Sequence, residues 1–401
     1  MGYFRKELLY VLIISLGSFA CGEGIAFYSP IGVPFTKDMN LSKSQGNWFN
    51  TIHHFAAVFG GPIDKLLISV FGRKKSIFIT SLTSIISFVL IAVTKKNYYW
   101  LGFLGRAIMG LCTGSFSGLC SMYIVEIAPT KYRGSYGVCH QLMITIGISY
   151  IYLLGIFCNW FTISLLCLIP VILLSIFIFF VPDLVSEEDS DFEKETNETI
   201  FQRKFIKPFA VSIFLILFQQ FSGINPILSN LEEIFSNAHI RIDASVCSLI
   251  VGIAQVFATL IASFCVEKLG RRISWIVSSS GQAVALFLMF SEKKWKYTPY
   301  IALVSLLIDV FSFGIAFGPV PWMIVPELFP DSVRALAVSL MTGLNWLISS
   351  VTLFIWDPIV SHLGESWGFL LFFIFCTIAC LYGIFFMPET KGMEIGEICD
   401  P

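Results

Sequence analysis

The sequence predicts an all-α integral membrane protein with twelve transmembrane helices in two pseudo-symmetric six-helix bundles. Three observations support this fold class. The 401-residue chain is 56% hydrophobic and 13% charged, with a mean hydropathy of +0.79, whereas about a quarter of the residues in a soluble domain are charged. Apolar segments of membrane-crossing length follow one another along the whole chain. Two charged motifs of the first half return in the second half.

Each predicted span has roughly 20 apolar residues, the length that crosses the hydrocarbon core of a bilayer. The acidic and polar stretch 182–207 separates the sixth span from the seventh. We therefore predict an N-terminal six-helix bundle over residues 1–181, a cytoplasmic linker over 182–207, and a C-terminal six-helix bundle with a short cytoplasmic tail over 208–401. The predicted spans cover approximately residues 8–29, 47–68, 76–94, 98–123, 135–157, 160–181, 208–230, 245–266, 273–290, 299–325, 335–356 and 367–387.

The distribution of lysine and arginine predicts the orientation of these spans. With a cytoplasmic N-terminus, the loops on that side hold about twice as many basic residues as the opposite loops, which is the bias expected of cytoplasmic loops. Both termini are therefore predicted to be cytoplasmic, in a multi-pass protein of the plasma membrane. The lipid bilayer is the expected partner, and a net charge of −1 gives no indication of nucleic-acid binding.

The repeated motifs indicate how the two halves are related. The pattern E-x-x-P-x-x-x-R at residues 126–133 returns at residues 327–334, and a glycine followed by two basic residues occurs at Gly72 and again at Gly270. Both pairs are about 200 residues apart and keep their order, as expected of a duplicated membrane unit. Such duplication is characteristic of transporters.

The charged side chains of these motifs are predicted to form a cytoplasmic gate. Exposed ion pairs contribute only about 0–1 kcal/mol each, so a moving protein can make and break them. The alternative interpretation is that these charges only mark helix ends. The predicted gate consists of Arg73, Glu126, Arg133, Glu267, Arg271, Arg272, Glu327 and Arg334, with Glu126–Arg133, Glu327–Arg334, and Glu267 with Arg271 or Arg272 as the expected pairs.

Amides inside the predicted spans indicate a binding site for a neutral, hydroxyl-rich ligand. An amide both donates and accepts hydrogen bonds, as a hydroxyl group does, and polar residues in a span are costly unless they face a wet cavity. For one amide alone, the alternative is a structural hydrogen bond between helices. Gly223 and Pro226 weaken the seventh span where amides cluster. The predicted site consists of Gln141, Gln219, Gln220, Asn225, Gln255 and Asn345, with Trp322 as a floor under the ligand.

The whole chain resembles the sugar porter family of the major facilitator superfamily, and residues 22–30 are most similar to the insect trehalose and glucose transporter branch. The resemblance implies the major facilitator fold, alternating access, sugar binding by the amides and tryptophan named above, and no cofactor. No nucleophile–base pair or metal cluster indicates an enzyme. The matching motifs are Gly72–Lys74, Gly105-Arg106, Glu126–Gly134, Gln141-Leu142, Gln219–Asn225, Glu267–Arg272, Gly318–Glu327, Arg334, Asn345-Trp346 and Pro388–Gly392.

The predicted function is facilitative uniport of a hexose or trehalose, as the resemblance to the insect branch implies. A proton-coupled symporter is the main alternative, because Glu23 lies inside the first span, where a carboxylate is costly. In proton-coupled relatives its partner would match Arg106, and Asp309 is a second carboxylate within a span. A non-transporting sugar sensor and an organic-ion carrier are further alternatives. The sensor is suggested by departures from the family pattern, with Ser69 in place of an aspartate and Ser229-Asn230 in place of two tyrosines.

Overall fold

The computed structural model describes residues 2–127, 133–182 and 202–391, and these residues form helices without a strand. Up to residue 182, which we call the first half, the helices are α1 (Gly2–Ala26), α2 (Tyr28–Asp38), α3 (Lys43–Ala57), α4 (Gly60–Ala92), α5 (Trp100–Ile127), α6 (Arg133–Phe157), α7 (Trp160–Leu166) and α8 (Leu168–Phe177). The second half comprises α9 (Ile206–Phe221), α10 (Ile224–Ser229), α11 (Leu231–Ala238), α12 (Ala244–Leu269), α13 (Arg271–Trp295), α14 (Tyr300–Ser312), α15 (Pro319–Leu328), α16 (Asp331–Leu363) and α17 (Glu365–Phe385).

Eleven helical segments of the described chain are long and apolar enough to cross a membrane. The predicted span 47–68 is not a separate segment among these eleven. It runs through α3 into the start of α4, whose 33 residues would measure about 50 Å as one straight helix, against a hydrocarbon core of about 30 Å. Gly72 interrupts α4 with φ 75° and ψ 169°, a conformation that is essentially restricted to glycine. The part of α4 before Gly72 therefore completes, together with α3, the second predicted span, and the part after Gly72 forms the third.

The sequence repeat recurs in the backbone. Gly270, the counterpart of Gly72, has φ 85° and ψ 167°, so both halves make the same turn before a pair of basic residues. The break at Gly270 separates α12 from α13, just as Gly72 separates the two spans within α4. This agreement of backbone geometry supports the interpretation of the motif as a duplicated structural element.

Glycines allow the helices of the first half to pack closely. A Cβ atom at Gly110 of α5 would lie 2.0 Å from the carbonyl oxygen of His53 in α3, and one at Gly114 would lie 2.1 Å from that of Ala57. Small residues at such crossings let helix backbones approach each other. The position of α3 is therefore fixed against α5 by direct backbone contact.

The two halves meet mainly where α3 packs on α16 and where α6 packs on α12. Four hydrogen bonds between described residues join them. Two lie at the middle of the bundle, between His54 and Ser349 (2.8 Å) and between Trp346 and Ser117 (3.3 Å). The other two lie toward the end away from the termini, which we call the far end: Tyr152 donates to the Leu228 carbonyl (2.9 Å), and the Glu232 amide donates to Ser29 (3.2 Å).

Candidate functional site

A break in the seventh span positions the first amides of the site. Helix α9 ends at Phe221 and α10 begins at Ile224, and between them Gly223 has a left-handed conformation with φ 82°. A Cβ atom at Gly223 would lie 2.1 Å from the ring of Phe372, so glycine is required by packing as well as by conformation. The weakened helix predicted at this glycine is therefore confirmed.

Gln219 at the end of α9 binds a second irregular segment. Residues Phe313–Phe317 form a π-helical turn between α14 and α15, a type of distortion often found at functional sites because it frees backbone carbonyls. The Gln219 amide nitrogen donates to the carbonyls of Phe317 (3.1 Å) and Gly318 (2.7 Å). Its side-chain oxygen is buried and has no partner in the described part of the chain.

Three of the predicted amides form one hydrogen-bonded group. Gln220 donates to the Asn345 oxygen at 2.5 Å and accepts from the Asn225 nitrogen at 2.6 Å. Asn225 also donates to the Ser349 hydroxyl at 2.8 Å. These contacts join the broken seventh span to α16 in the interior of the second half, and each of the three amide side chains belongs to a residue that is at most 7% exposed.

The remaining predicted site residues lie on neighbouring helices. Gln255 of α12 is buried, and its side-chain oxygen has no partner among the described residues. Gln141 of α6 is half-buried. Trp322 of α15 is half-buried and packs against the hydrophobic core. The oxygens of Gln219 and Gln255 are buried acceptors, which suits them to bind hydroxyl donors.

Two histidines of α3 belong to the same region, and the sequence analysis missed them. His53 and His54 are fully buried. His54 shares a hydrogen bond with Ser349, which in turn accepts one from Asn225. The imidazole therefore connects the first half to the three hydrogen-bonded amide side chains. The available signal was the presence of two adjacent polar residues inside an apolar span, since such residues are functional candidates by default.

At the end of the bundle that carries the termini, which we call the near end, an ion pair links two of the predicted gate residues. The Nη2 atom of Arg271 lies 2.8 Å from Oε1 of Glu327, and the Thr390 hydroxyl donates to Oε2 of Glu327 at 2.6 Å. The spacing of the charged motifs predicts other pairs, of Glu267 with Arg271 or Arg272 and of Glu327 with Arg334. The structure instead connects the two motifs of the second half to each other, because the start of α13 lies beside the end of α15.

Glu389 caps the start of α13, a role that the sequence analysis did not assign. Its two carboxylate oxygens accept hydrogen bonds from the backbone amides of Arg271 (2.9 Å) and Arg272 (3.0 Å). A carboxylate is stabilised at this position because the first amides of a helix have no partners within it and carry a partial positive charge. The segment after α17 is thereby tied to the near end.

The other predicted gate residues have separate positions. Arg272 donates to the carbonyls of Gly383 and Ile384, and Arg334 donates to those of Pro326 and Phe329. Glu267 is exposed at the end of α12, and Arg73 follows the break at Gly72. The side chains of Glu126 and Arg133 lie outside the described residues, so the pair expected between them stays a prediction.

The candidate pair for proton coupling is not formed. Glu23 and Arg106 are both fully buried, but Arg106 donates to the Gly24 carbonyl at 2.8 Å and lies 5.5 Å from the centre of the Phe27 ring. The Glu23 carboxyl lies beside the Cys167 thiol, and neither of its oxygens has a hydrogen-bond partner among the residues that the structure describes. The two side chains therefore occupy different surroundings within the first half.

Asp309 is fully buried in α14 of the second half. One carboxylate oxygen accepts from the Gln282 side chain at 3.2 Å, so α13 and α14 are joined at this point. The other oxygen is buried without a partner in the described chain. Asp309, the second carboxylate candidate, thus connects two helices of the second half.

Comparison with protein families shows which family the chain belongs to. A model of the sugar (and other) transporter family matches residues 11–185 and, a second time, residues 184–399. The chain belongs to the sugar transporter family. The two matches follow each other along the chain, one for each half, in agreement with the repeat. Members of this family are transporters and not enzymes.

Among related sugar transporters, the facilitated trehalose transporter Tret1-2 homolog of Drosophila sechellia is 29% identical to this chain, over 98% of this chain and 90% of the relative. The sugar transporter ERD6-like 6 of Arabidopsis thaliana is 28% identical, over 98% of this chain and 89% of the relative. Similarity extends over nearly the full length in both cases.

Solved structures of sugar transporters share the fold. The inward open conformation of the xylose transporter XylE from E. coli superimposes with a TM-score of 0.83 at 22% identity, covering 98% of this chain and 99% of that chain. A complex of the proton:xylose symporter XylE with 6-bromo-6-deoxy-D-glucose gives a TM-score of 0.82 at 23% identity, covering 98% of each chain. This sugar transporter therefore has the major facilitator fold with two six-helix bundles.

Proposed function

We propose that this sugar transporter is a facilitative uniporter for a hexose or trehalose, and that it binds its substrate at the amides around the broken seventh span. The observation that carries the proposal is the buried group of Gln220, Asn225 and Asn345, which holds uncharged donors and acceptors. Unlike charged side chains, amides match the hydroxyl groups of a neutral sugar. Names of several relatives, which are facilitated trehalose transporters, support the same substrate class.

Transport of a sugar panel tests this proposal. The purified protein would be reconstituted in liposomes, and uptake of radiolabelled glucose, fructose, xylose and trehalose would be measured against empty liposomes. We expect saturable uptake of at least one of these sugars without any ion gradient. A protein that binds a sugar but never moves it across the bilayer would instead be a sensor, and uptake of charged solutes alone would indicate an organic-ion carrier.

Proton symport is a second candidate, favoured by the buried carboxyl of Glu23, which has no hydrogen-bond partner in the part of the chain that the structure describes. A carboxyl inside a span without a partner is suited to bind and release a proton. Imposing an inward proton gradient on the same liposomes separates the two mechanisms. Equal rates with and without the gradient support uniport. An accelerated rate that is lost in Glu23→Gln establishes coupling and refutes uniport.

We also propose that the near end faces the cytoplasm of a plasma-membrane transporter, with residues 1–181 and 208–401 as the two bundles and 182–207 as the linker. The excess of basic residues in the loops at the near end supports this orientation. Antibody access to a tag at either terminus, before and after permeabilising the cells, tests it. Staining of intact cells would show that the termini face outward and contradict the proposed orientation. Staining confined to internal membranes would exclude the plasma membrane as the location.

A further inference from the structure

The histidine pair of α3 lies where the first half contacts the proposed sugar site. His54 shares a hydrogen bond of 2.8 Å between its Nδ1 atom and the Ser349 hydroxyl. His53 binds Thr113 of α5 through Nε2 at 3.0 Å. The two imidazole rings are 4.9 Å apart and nearly perpendicular. His53 is therefore bound within the first half, while His54 reaches across to the second.

Ser349 connects His54 to the hydrogen-bonded side chains of Asn225, Gln220 and Asn345. Its hydroxyl accepts from the Asn225 nitrogen at 2.8 Å, and Asn225 also donates to Gln220. A single hydrogen-bonded network thus runs from the amides of the second half to an imidazole of the first half. A ligand held by these amides would lie within reach of His54.

The free nitrogen of His54 indicates what this imidazole would bind. Nε2 is buried, and no described residue pairs with it. In a neutral imidazole one nitrogen donates and the other accepts, so Nε2 has the role opposite to that of Nδ1. A hydroxyl group satisfies either role because it can donate or accept. Leaving such a buried nitrogen unpaired is unfavourable, so a ligand hydroxyl that pairs with it would be bound more tightly.

The surroundings hold the ring in place. The Trp346 ring lies 5.7 Å from that of His54, and its indole nitrogen donates to Ser117 of the first half at 3.3 Å. Backbone contact at Gly110 fixes the same turn of α3 against α5. A ligand group that is positioned by rigid elements gives a more selective site than one on a mobile loop.

We propose that His54 is a sugar-contacting residue supplied by the first half, with Nε2 binding a sugar hydroxyl while Nδ1 holds Ser349. This inference rests on the proposed sugar site and extends it, because it assigns a determinant of substrate selection outside the amide set. A sugar that lacks the matching hydroxyl leaves Nε2 unpaired and binds more weakly.

Two substitutions separate this role from a purely structural one. The side-chain amide of asparagine takes the place of Nδ1, whereas that of glutamine reaches the place of Nε2. His54→Asn therefore keeps the bond to Ser349 and removes the proposed sugar contact. His54→Gln does the reverse. We expect His54→Asn to raise the apparent KM for uptake about 2- to 10-fold, as for one lost hydrogen bond, and His54→Gln to stay within about twofold of the wild type.

A matched control is His140, which binds Ser18 at 2.7 Å entirely within the first half. His140→Asn is expected to leave the apparent KM unchanged at equal protein abundance. The opposite pattern, a normal KM in His54→Asn and a raised KM in His54→Gln, would assign His54 only to the contact between the halves and overturn the proposal. A normal KM in both variants would overturn it as well, because neither nitrogen of His54 would then contribute to sugar binding. If the wild type neither binds nor transports any sugar of the panel, the proposed function falls and the role of His54 falls with it.

Discussion

Gln220 uses both ends of its side chain, donating to Asn345 and accepting from Asn225. Its neighbour Gln219 uses only one end, because its nitrogen binds two backbone carbonyls and its oxygen stays unpaired within the described chain. At the scale of single residues the site therefore combines satisfied groups, which hold its shape, with unsatisfied ones, which are available to a ligand. Sugar binding would rearrange the hydrogen bonds of the satisfied groups and supply partners to the unsatisfied ones.

Removing either kind of amide should weaken sugar binding. Gln219→Ala deletes an available oxygen, and Asn345→Ala deletes the acceptor of Gln220. Each change is expected to raise the apparent KM about 2- to 10-fold, the equivalent of about 0.5–1.5 kcal/mol per hydrogen bond. Asn237→Ala is the control, since this amide binds Glu365 at the surface. Unaltered uptake of every tested sugar by both site variants would show that the site lies elsewhere.

At the scale of helices, the breaks are better predicted by the sequence than the contacts. Gly223 announces the interruption of the seventh span because glycine and a nearby proline are local signals. No local pattern in the sequence predicts the π-helical turn at Phe313–Phe317 or the contact between His54 and Ser349, since both depend on how distant segments pack. The expected partner of Arg271 was wrong for the same reason: Glu267 is near it in sequence, but Glu327 is near it in space.

Close packing of α4 on α5 gives a sharp test. A Cβ atom at Gly60 would lie 2.4 Å from the Gly114 backbone, whereas one at Gly61 would meet nothing nearer than 3.5 Å. Gly60→Ala is expected to lower stability by about 1–3 kcal/mol, as overpacking does. Thermal unfolding in detergent measures the effect, and the adjacent Gly61→Ala serves as the control. Similar melting temperatures for the two variants would contradict the predicted overlap.

The cap of α13 gives a second test at this scale. Glu389→Ala removes the carboxylate that accepts from the amides of Arg271 and Arg272, and the expected loss of stability is about 0.5–2 kcal/mol. Hydrogen exchange of the first turn of α13 should rise together with the drop in melting temperature. Lys391→Ala is the control: its ammonium group donates to the Lys268 carbonyl of α12 at 3.0 Å and not to α13, so the exchange of the first turn of α13 is expected to stay nearly unchanged.

At the scale of the whole molecule, contacts between the halves define one closed arrangement. Tyr152 and Ser29 of the first half bind the Leu228 carbonyl and the Glu232 amide at the far end. The sequence predicts two bundles from the repeat, but it cannot predict which end of the bundles is closed, because that depends on the balance of contacts between separate surfaces. The structure supplies this information for the far end.

Weakening these contacts should open the far end. Tyr152→Phe removes one buried hydrogen bond between the halves and keeps the ring. We expect faster hydrogen exchange in α10 and α11, which carry the Leu228 and Glu232 backbone groups, with little change in α17. Tyr382→Phe, which alters a tyrosine packed within the second half, is the control. An exchange pattern identical to that of the wild type would show that Tyr152 does not hold this end closed.

The closed far end has a kinetic consequence. The two described bonds at the far end together contribute about 1–3 kcal/mol, at about 0.5–1.5 kcal/mol each, and the unloaded carrier must break them to face the far side again. A loaded carrier offsets part of this loss with contacts to its sugar. Return of the empty carrier then limits the cycle, and sugar placed on the opposite side of the membrane accelerates uptake. Radiolabelled exchange should therefore outpace net entry into empty liposomes, and equal rates would place the slow step elsewhere.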